Sequence, residues 1–285
     1  MSAVPLAMAR SGWRVASSLP LSGRVGLFFV VAWLLLAVVG PGIAPHPVGA
    51  VVSPDVFGAF NWAHPLGTDY LGRDMVSRIL HGARFTIGLA LVAALAASFT
   101  GTTLALIAAT AGGWIDEIMS RLMDAFISIP SKMLALVMVA AFGSSVGLLI
   151  LTAALSYTPG AYRIARSLAV NVRTLEYVQA ARARGEGLAY VAGVEILPNM
   201  VNPMLADFGL RFVFVVLLLS GMSFLGLGVQ PPNADLGSLV RENISGLFEG
   251  APAVVMPAIA IATLTVSVNL LIDGLTGRAS RVAEN

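Results

Sequence analysis

Few side chains in this chain could do chemistry in an apolar setting, and their spacing limits what that chemistry could be. Asp207 and Arg211 lie four apart in an apolar run. On a helix they would share a face and are expected to pair. Lys132, the only lysine, follows Pro130, with Asp124 two helical turns earlier. An ionisable group among apolar residues is a candidate for lining a path across a bilayer. A lysine near the end of a span can equally carry its ammonium out to the interface, and both readings stay open. His46, His64 and His81 have neither H-E-x-x-H spacing nor a cysteine nearby, so no metal site is expected. No G-x-x-x-x-G-K-[ST] occurs, and the sole lysine follows Pro130 and Ser131, so nothing can cradle nucleotide phosphates. Gly226-Leu-Gly228 lacks the rest of a dinucleotide fingerprint, and Gly221-Met-Ser-Phe-Leu225 fails the nucleophile elbow at its last position. The expectation is a chain without catalytic residues or a cofactor of its own.

Two polar segments carry more specific patterns. In the first, His64, Gly67, Asp69, Gly72, Arg73, Asp74 and Arg78 fall within one short stretch that continues to Gly82 and Arg84. The glycines permit turns and the acids and arginines can pair locally. Apolar and charged residues alternate from Met75 to Leu80, which predicts a helix lying in the membrane interface. This segment reads as a structural cap, with solute contact as the alternative. The second runs Glu176-Tyr-Val-Gln-Ala-Ala-Arg-Ala-Arg-Gly185, followed by Glu195-Ile-Leu-Pro198-Asn199. Thr174 to Arg184 is predicted as a short helix capped by Thr174 and favoured by Ala180, Ala181 and Ala183. Gly185 is placed to end it, with φ > 0. Small residues at Ala180 and Ala181 would let another protein approach closely; a solvated connector is the other reading.

The elements that must hold these segments are membrane spans. Hydrophobic residues make up 57% of the chain, charged residues 11%, and mean hydropathy is +0.86. A soluble domain carries about 25% charged residues, so this composition cannot build a surface for water. Cysteine is absent, which excludes disulfides and thiolate sites. Basic and acidic residues nearly balance, so there is no footprint for nucleic acid. Charge-poor runs predict six helices: Val25 to about Ala44, Phe85 to about Ala111, Ile118 to about Gly143, Leu148 to about Tyr162 (short on its own but extended by the following segment), about Leu205 to Leu227, and Ala253 to about Ile272. Gly143 to Gly147 supplies the turn between the third and fourth, and Pro231-Pro232 forbids continuation of the fifth. Open sheets are excluded because lipid cannot satisfy their edges. Residues 1–24 and 276–285 are read as tails, 45–84 as an outer loop, and 85–275 as the core domain with an inner loop at 163–203. The N-terminal run resembles a signal peptide but lacks an A-x-A site, and is read as an uncleaved helix. With the N-terminus inside, Arg10, Arg14, Arg24, Arg163, Arg166, Arg173, Arg182, Arg184, Arg278 and Arg281 gather on the inner side. Only Arg73, Arg78, Arg84 and Arg241 lie outside. Both termini are therefore expected in the cytoplasm.

Glu176, Gln179, Ala180, Ala181, Arg182 and Gly185, followed by Leu197 and Pro198, resemble the "EAA" loop of ABC importer permeases. Gln179 stands where that signature usually has Glu, and Glu195 where the peptide-importer branch commonly has His. Three further stretches are similar to the C-type permease of the peptide/nickel branch. These are His64 to Arg84, Phe224-Leu-Gly-Leu-Gly-Val-Gln-Pro-Pro-Asn-Ala-Asp-Leu-Gly237 and Asn269-Leu-Leu-Ile-Asp-Gly274. Leu236 replaces a frequent Trp, and the usual Asp-Pro-Arg tail is missing.

The resemblance implies an all-α membrane subunit with the six-helix architecture of type I ABC importer permeases. It implies a paralogous B-type permease as heterodimer partner, two ABC ATPase subunits that hold ATP and Mg, and an outer solute-binding protein. The 176–199 loop would dock on the ATPases. Peptides are the expected solute, with glutathione or a nickel chelate as alternatives. An ion-coupled secondary transporter, with Asp124 and Asp273 as relay carboxylates, is the rival from another class.

Overall fold

The structure, a computed structural model, describes residues 19–283, so Arg10 and Arg14 of the orientation argument lie outside it. The described residues are nearly all helical, with only isolated bridges at Val51–Arg73 and Thr68–Asp74. α1 spans Leu21–Ile43 and α2 spans Met75–Ala111, 37 residues without a break. α2 thus absorbs the stretch expected to lie in the interface. Asp74 caps it, accepting from Ser77 N, and Met75, Ser77, Arg78 and Ile79 are buried. The alternation of Met75 to Leu80 reflects charges that meet protein partners, and is no sign of a half-submerged helix.

The expected third span is two helices, α3 (Gly113–Ile127) and α4 (Ser131–Phe142), bent by 81°. Pro130 has no N–H to continue the ladder and drives Ile129 out of the helical region. Asp124 and Lys132 therefore do not share the face of one helix. Gly143, at φ 80°, makes the expected turn, and Ser145 caps α5 (Val146–Arg173) by accepting from Leu148 N. α5 continues well past Tyr162, so the following loop is only 174–196. It holds α6 (Glu176–Ala183), α7 (Leu188–Tyr190) and a π-helical turn, Val191–Ile196. That turn runs straight into α8 (Leu197–Phe224), which begins earlier than expected with Pro198 in its first turn, where a missing N–H costs nothing. Gly226, at φ 86°, follows its end. α9 (Leu236–Glu242), a 3-10 turn (Ile244–Leu247) and α10 (Pro252–Ala283) complete the chain.

The main core joins Ile87, Ala90 and Ala94 of α2, Val139 of α4, Leu149 and Ala153 of α5, Val216 and Leu219 of α8, and Leu264 and Val268 of α10. α2 and α5 meet through small residues, as helices do where no water drives them together. A methyl group on Gly101 would fall 2.5 Å from Ala161 Cβ and 2.8 Å from Thr158 O. Inside this core Arg211 donates to both Asp207 oxygens, at 2.7 Å from Nη2, and to Tyr157 O at 2.7 Å. The expected pair thus forms, and it also ties α8 to α5. Gly160 leaves room for the guanidinium, whose Nη1 lies 2.9 Å from where a Cβ would stand.

Four helical stretches are long and apolar enough to cross a membrane: Leu21–Ile43, Met75–Ala111, Leu188–Phe224 and Pro252–Thr276. The bent α3–α4 pair makes a fifth if it is one span. α5 has 28 residues, but Arg163, Arg166 and Arg173 keep it below that apolarity. Large apolar side chains such as Phe28, Val38, Phe99 and Phe142 point away from the protein, as a surface made for lipid requires.

Candidate functional site

Two polar sites stand at opposite ends of α2. At its start, the 45–74 loop folds over on tight glycine turns. Gly72 has φ 72°, and a Cβ there would lie 2.0 Å from Ser53 O, so no side chain fits. Asp69, fully buried, accepts from Arg73 Nε and Arg78 Nη1, both at 2.6 Å, and from the backbone N–H groups of Leu71 and Arg73. Glu242 of α9 accepts from the same two arginines, at 3.1 and 2.9 Å. Two guanidinium groups and two carboxylates thus close into a neutral cluster. Asp74 does not pair with an arginine as expected; besides capping α2 it meets His64 Nδ1 at 3.2 Å. Tyr70 N donates to Asn243 Oδ1, which ties the loop again to the α9 end. At the start of α9 Asp235 caps the helix by accepting from Ser238 N, and burial raises its carboxyl above the ordinary range. Every charge in this cluster has a partner of the same chain.

At the other end of α2 lies the 174–196 loop. α6 has Leu175 at its N-cap position and no side-chain cap, since Thr174 Oγ1 donates back to Asn171 O. Thr174 closes α5 and does not open α6. The C-terminal end is a Schellman motif: Gly185 N donates to Arg182 O (2.9 Å) and Glu186 N to Ala181 O (3.2 Å). Gly185 has φ 84° with open space around its Cα. Val178 and Ala181 are fully buried, Val178 in a core cluster with Ala108, Ala165, Val191 and Met200. Ala181 therefore anchors the helix and does not belong to the open face expected for it. The exposed face carries Glu176, Tyr177, Gln179 and Ala180. Leu197 is partly buried at the start of α8, beside the exposed Pro198.

The residues singled out between these sites behave differently. Asp124 is paired, accepting from Arg163 Nη2 at 2.8 Å, with both side chains about three-fifths exposed. That pairs one of the two carboxylates, Asp124 and Asp273, on which an ion relay would depend. Along the same face of α3, Ser120 meets Tyr162 at 2.9 Å and Asp116 accepts from Arg166 at 2.6 Å. This polar seam between α3 and α5 was not visible in the sequence because its halves lie about forty to fifty residues apart. Lys132 is exposed in the first turn of α4. Among the described residues no group of acids and histidines is arranged to hold a metal.

Residues 101–281 match the model of the binding-protein-dependent transport system inner membrane component family. The chain belongs to that family. The match runs from the last turns of α2 into α10 and so includes the 174–196 loop. The chain is 31% identical to the dipeptide transport system permease protein DppC of Haemophilus influenzae, over 88% of this chain and 87% of that protein. It is 32% identical to the probable D,D-dipeptide transport system permease protein DdpC of Escherichia coli, over 86% and 83% of the two chains. Identity to the glutathione transport system permease protein GsiD of Pectobacterium atrosepticum is 33%, over 75% and 71%. A solved amino acid ABC transporter covers 70% of this chain and 91% of its own, with TM-score 0.50 and 18% identity, a likeness of fold alone. This permease is a membrane transport subunit that leaves ATP hydrolysis to partners. An ion-coupled carrier is not supported.

Proposed function

We propose that this permease forms half of the solute path of an ABC importer for di- or oligopeptides and is driven through its 174–196 loop. The observation that carries the coupling is the build of α6. One face is locked into the fold by Val178 and Ala181, while Glu176, Gln179 and Ala180 are left open on the other. A short helix held this firmly, with an unpartnered face, is suited to receive force from another protein. The two guanidinium groups beneath it give the seat rigidity: Arg173 donates to Ala109 O and Arg182 to Thr110 O at the last turn of α2. Cations there also suit the negative end of the helix dipole. The peptide solute rests on the relatives named for dipeptides, and the glutathione permease marks a related tripeptide as the alternative.

In this reading α5 is the sixth span, both ends of the chain are cytoplasmic, and the 174–196 loop faces the ATPases. The pairing subunit is a B-type permease, and the solute arrives on an outer binding protein. Asp124 and Lys132 flank the break between α3 and α4, where a path through the protein could pass. The test is reconstitution with two ATPases, a partner permease and the binding protein. Peptide uptake should require ATP and all subunits, and the isolated chain should bind no nucleotide. Orientation is read by introducing cysteine into a chain that has none. Ala59→Cys should react with an impermeant thiol reagent in intact cells and Ala189→Cys only after lysis; the reverse would overturn the arrangement.

A further inference from the structure

Arg173 and Arg182 stand side by side over the end of α2, and neither is neutralised. Arg173 Nη1 donates to Ala109 O at 2.7 Å and Arg182 Nη2 to Thr110 O at 2.9 Å. A guanidinium carries five N–H donors, so most of theirs remain free. Arg182 Nε is shielded from solvent and has no partner at all. The nearby acids are engaged elsewhere: Asp116 is held by Arg166, and Glu186 lies 3.9 Å from Arg184. Burial, and then the charge of Arg173, pull Arg182 below the ordinary guanidinium value. The two groups border an opening of about 400 Å³ lined by Val170, Arg173, Thr174, Gln179 and Arg182. Gln179 is the member that also belongs to the exposed face of α6. It is neutral, and its amide donates to Thr174 O at 2.9 Å. The notch is thus cationic, partly dry, open, and continuous with the face on which docking is proposed.

We infer that this notch receives an aspartate or glutamate side chain of the ATPase subunit, which enters beside Gln179 and takes the free N–H groups of Arg182 and Arg173. A carboxylate matches the planar fork of a guanidinium and can bind it through two parallel hydrogen bonds. It would also satisfy Arg182 Nε, whose unmet bond disfavours the undocked state. A lipid phosphate would need an apolar trough for its chains, and Val170 is the single apolar side chain in the lining. The inference rests on the docking reading and adds the chemistry of the contact.

Zero-length cross-linking tests it, because Lys132 is the only lysine of the chain. In the assembled importer, Arg182→Lys treated with a carbodiimide should form an isopeptide bond between position 182 and an Asp or Glu of the ATPase, absent from the wild type. A bond to Glu176 or Glu186 of the same chain alone, or none in an assembled complex, would overturn the inference. Arg173→Gln decides the matter independently of that variant. It keeps a side-chain donor for Ala109 O but removes one of the notch's two charges, and should weaken ATPase association about tenfold while thermal unfolding in detergent stays at the wild-type level. Association at the wild-type level would sink the proposal. If the wild-type chain itself fails to co-purify with ATPases, the docking reading falls; if it does so and Arg173→Gln is indistinguishable, only the notch falls.

Discussion

At one end of α2 two arginines meet two carboxylates; at the other, two arginines meet only backbone carbonyls. The first group is closed: Asp69 is fully buried, and Glu242 reaches it from a distant part of the chain. The second leaves donors free beside an exposed helix face. Arginine alone therefore says little about function; what matters is whether the fold supplies its counter-charge. Where it does, the cluster is a fastening. Where it does not, the site is incomplete until another molecule arrives.

The comparison breaks most readily at Asp69. Asp69→Asn leaves Arg73 and Arg78 partly unpaired in a buried setting, a loss of about 3–5 kcal/mol. The expected outcome is a subunit that fails to accumulate or melts early in detergent, read by thermal unfolding. Retention of wild-type stability would show the cluster to be no fastening. Gly185→Val should act next most strongly, but on coupling. A β-branched residue at φ 84° is strained by about 1–2 kcal/mol, which distorts the end of α6 while the spans are untouched. Insertion should be normal and transport lost, with ATPase recovery reduced or ATP hydrolysis uncoupled; Gly185→Ala should be milder.

Neighbouring alanines sharpen the contrast within one helix. Ala181→Leu overfills a buried site and should cost about 1–3 kcal/mol of stability. Ala180→Leu, on the exposed face, should leave melting unchanged while ATPase co-purification falls. The smallest effect is expected at the exposed Asp124–Arg163 pair, where Asp124→Asn should change stability by less than about 1 kcal/mol. Lys132→Met should likewise spare assembly while lowering uptake of solutes with a free carboxylate, measured beside N-blocked and C-blocked peptides.

Much of this was legible in the sequence where cause and effect are local. Gly143 and Gly185 announce turns because only glycine tolerates their φ, and Asp207 announces Arg211 because one helical turn joins them. What escaped was set by distant partners. Glu242 lies 164 residues from Arg78, and nothing near either predicts the other. Apolarity stops at Arg163 and so marks 163–203 as loop, whereas backbone bonding continues to Arg173 and Arg163, Arg166 and Arg173 find partners across the fold. Pro130 reads as lying inside one span because the apolar pattern resumes directly after it, whereas the helix breaks there.

α2 itself joins the two groups. Its 37 residues make a rod about 55 Å long, at about 1.5 Å per residue. Its first turn holds Arg78 and its last offers Ala109 O and Thr110 O. A helix yields little along its axis, and the close seam at Gly101 stiffens this one against α5. A thrust delivered through Arg182 is therefore not dissipated between the ends. It moves the Asp69 cluster as one body with the rod, so α9 must travel with it or the cluster must tear.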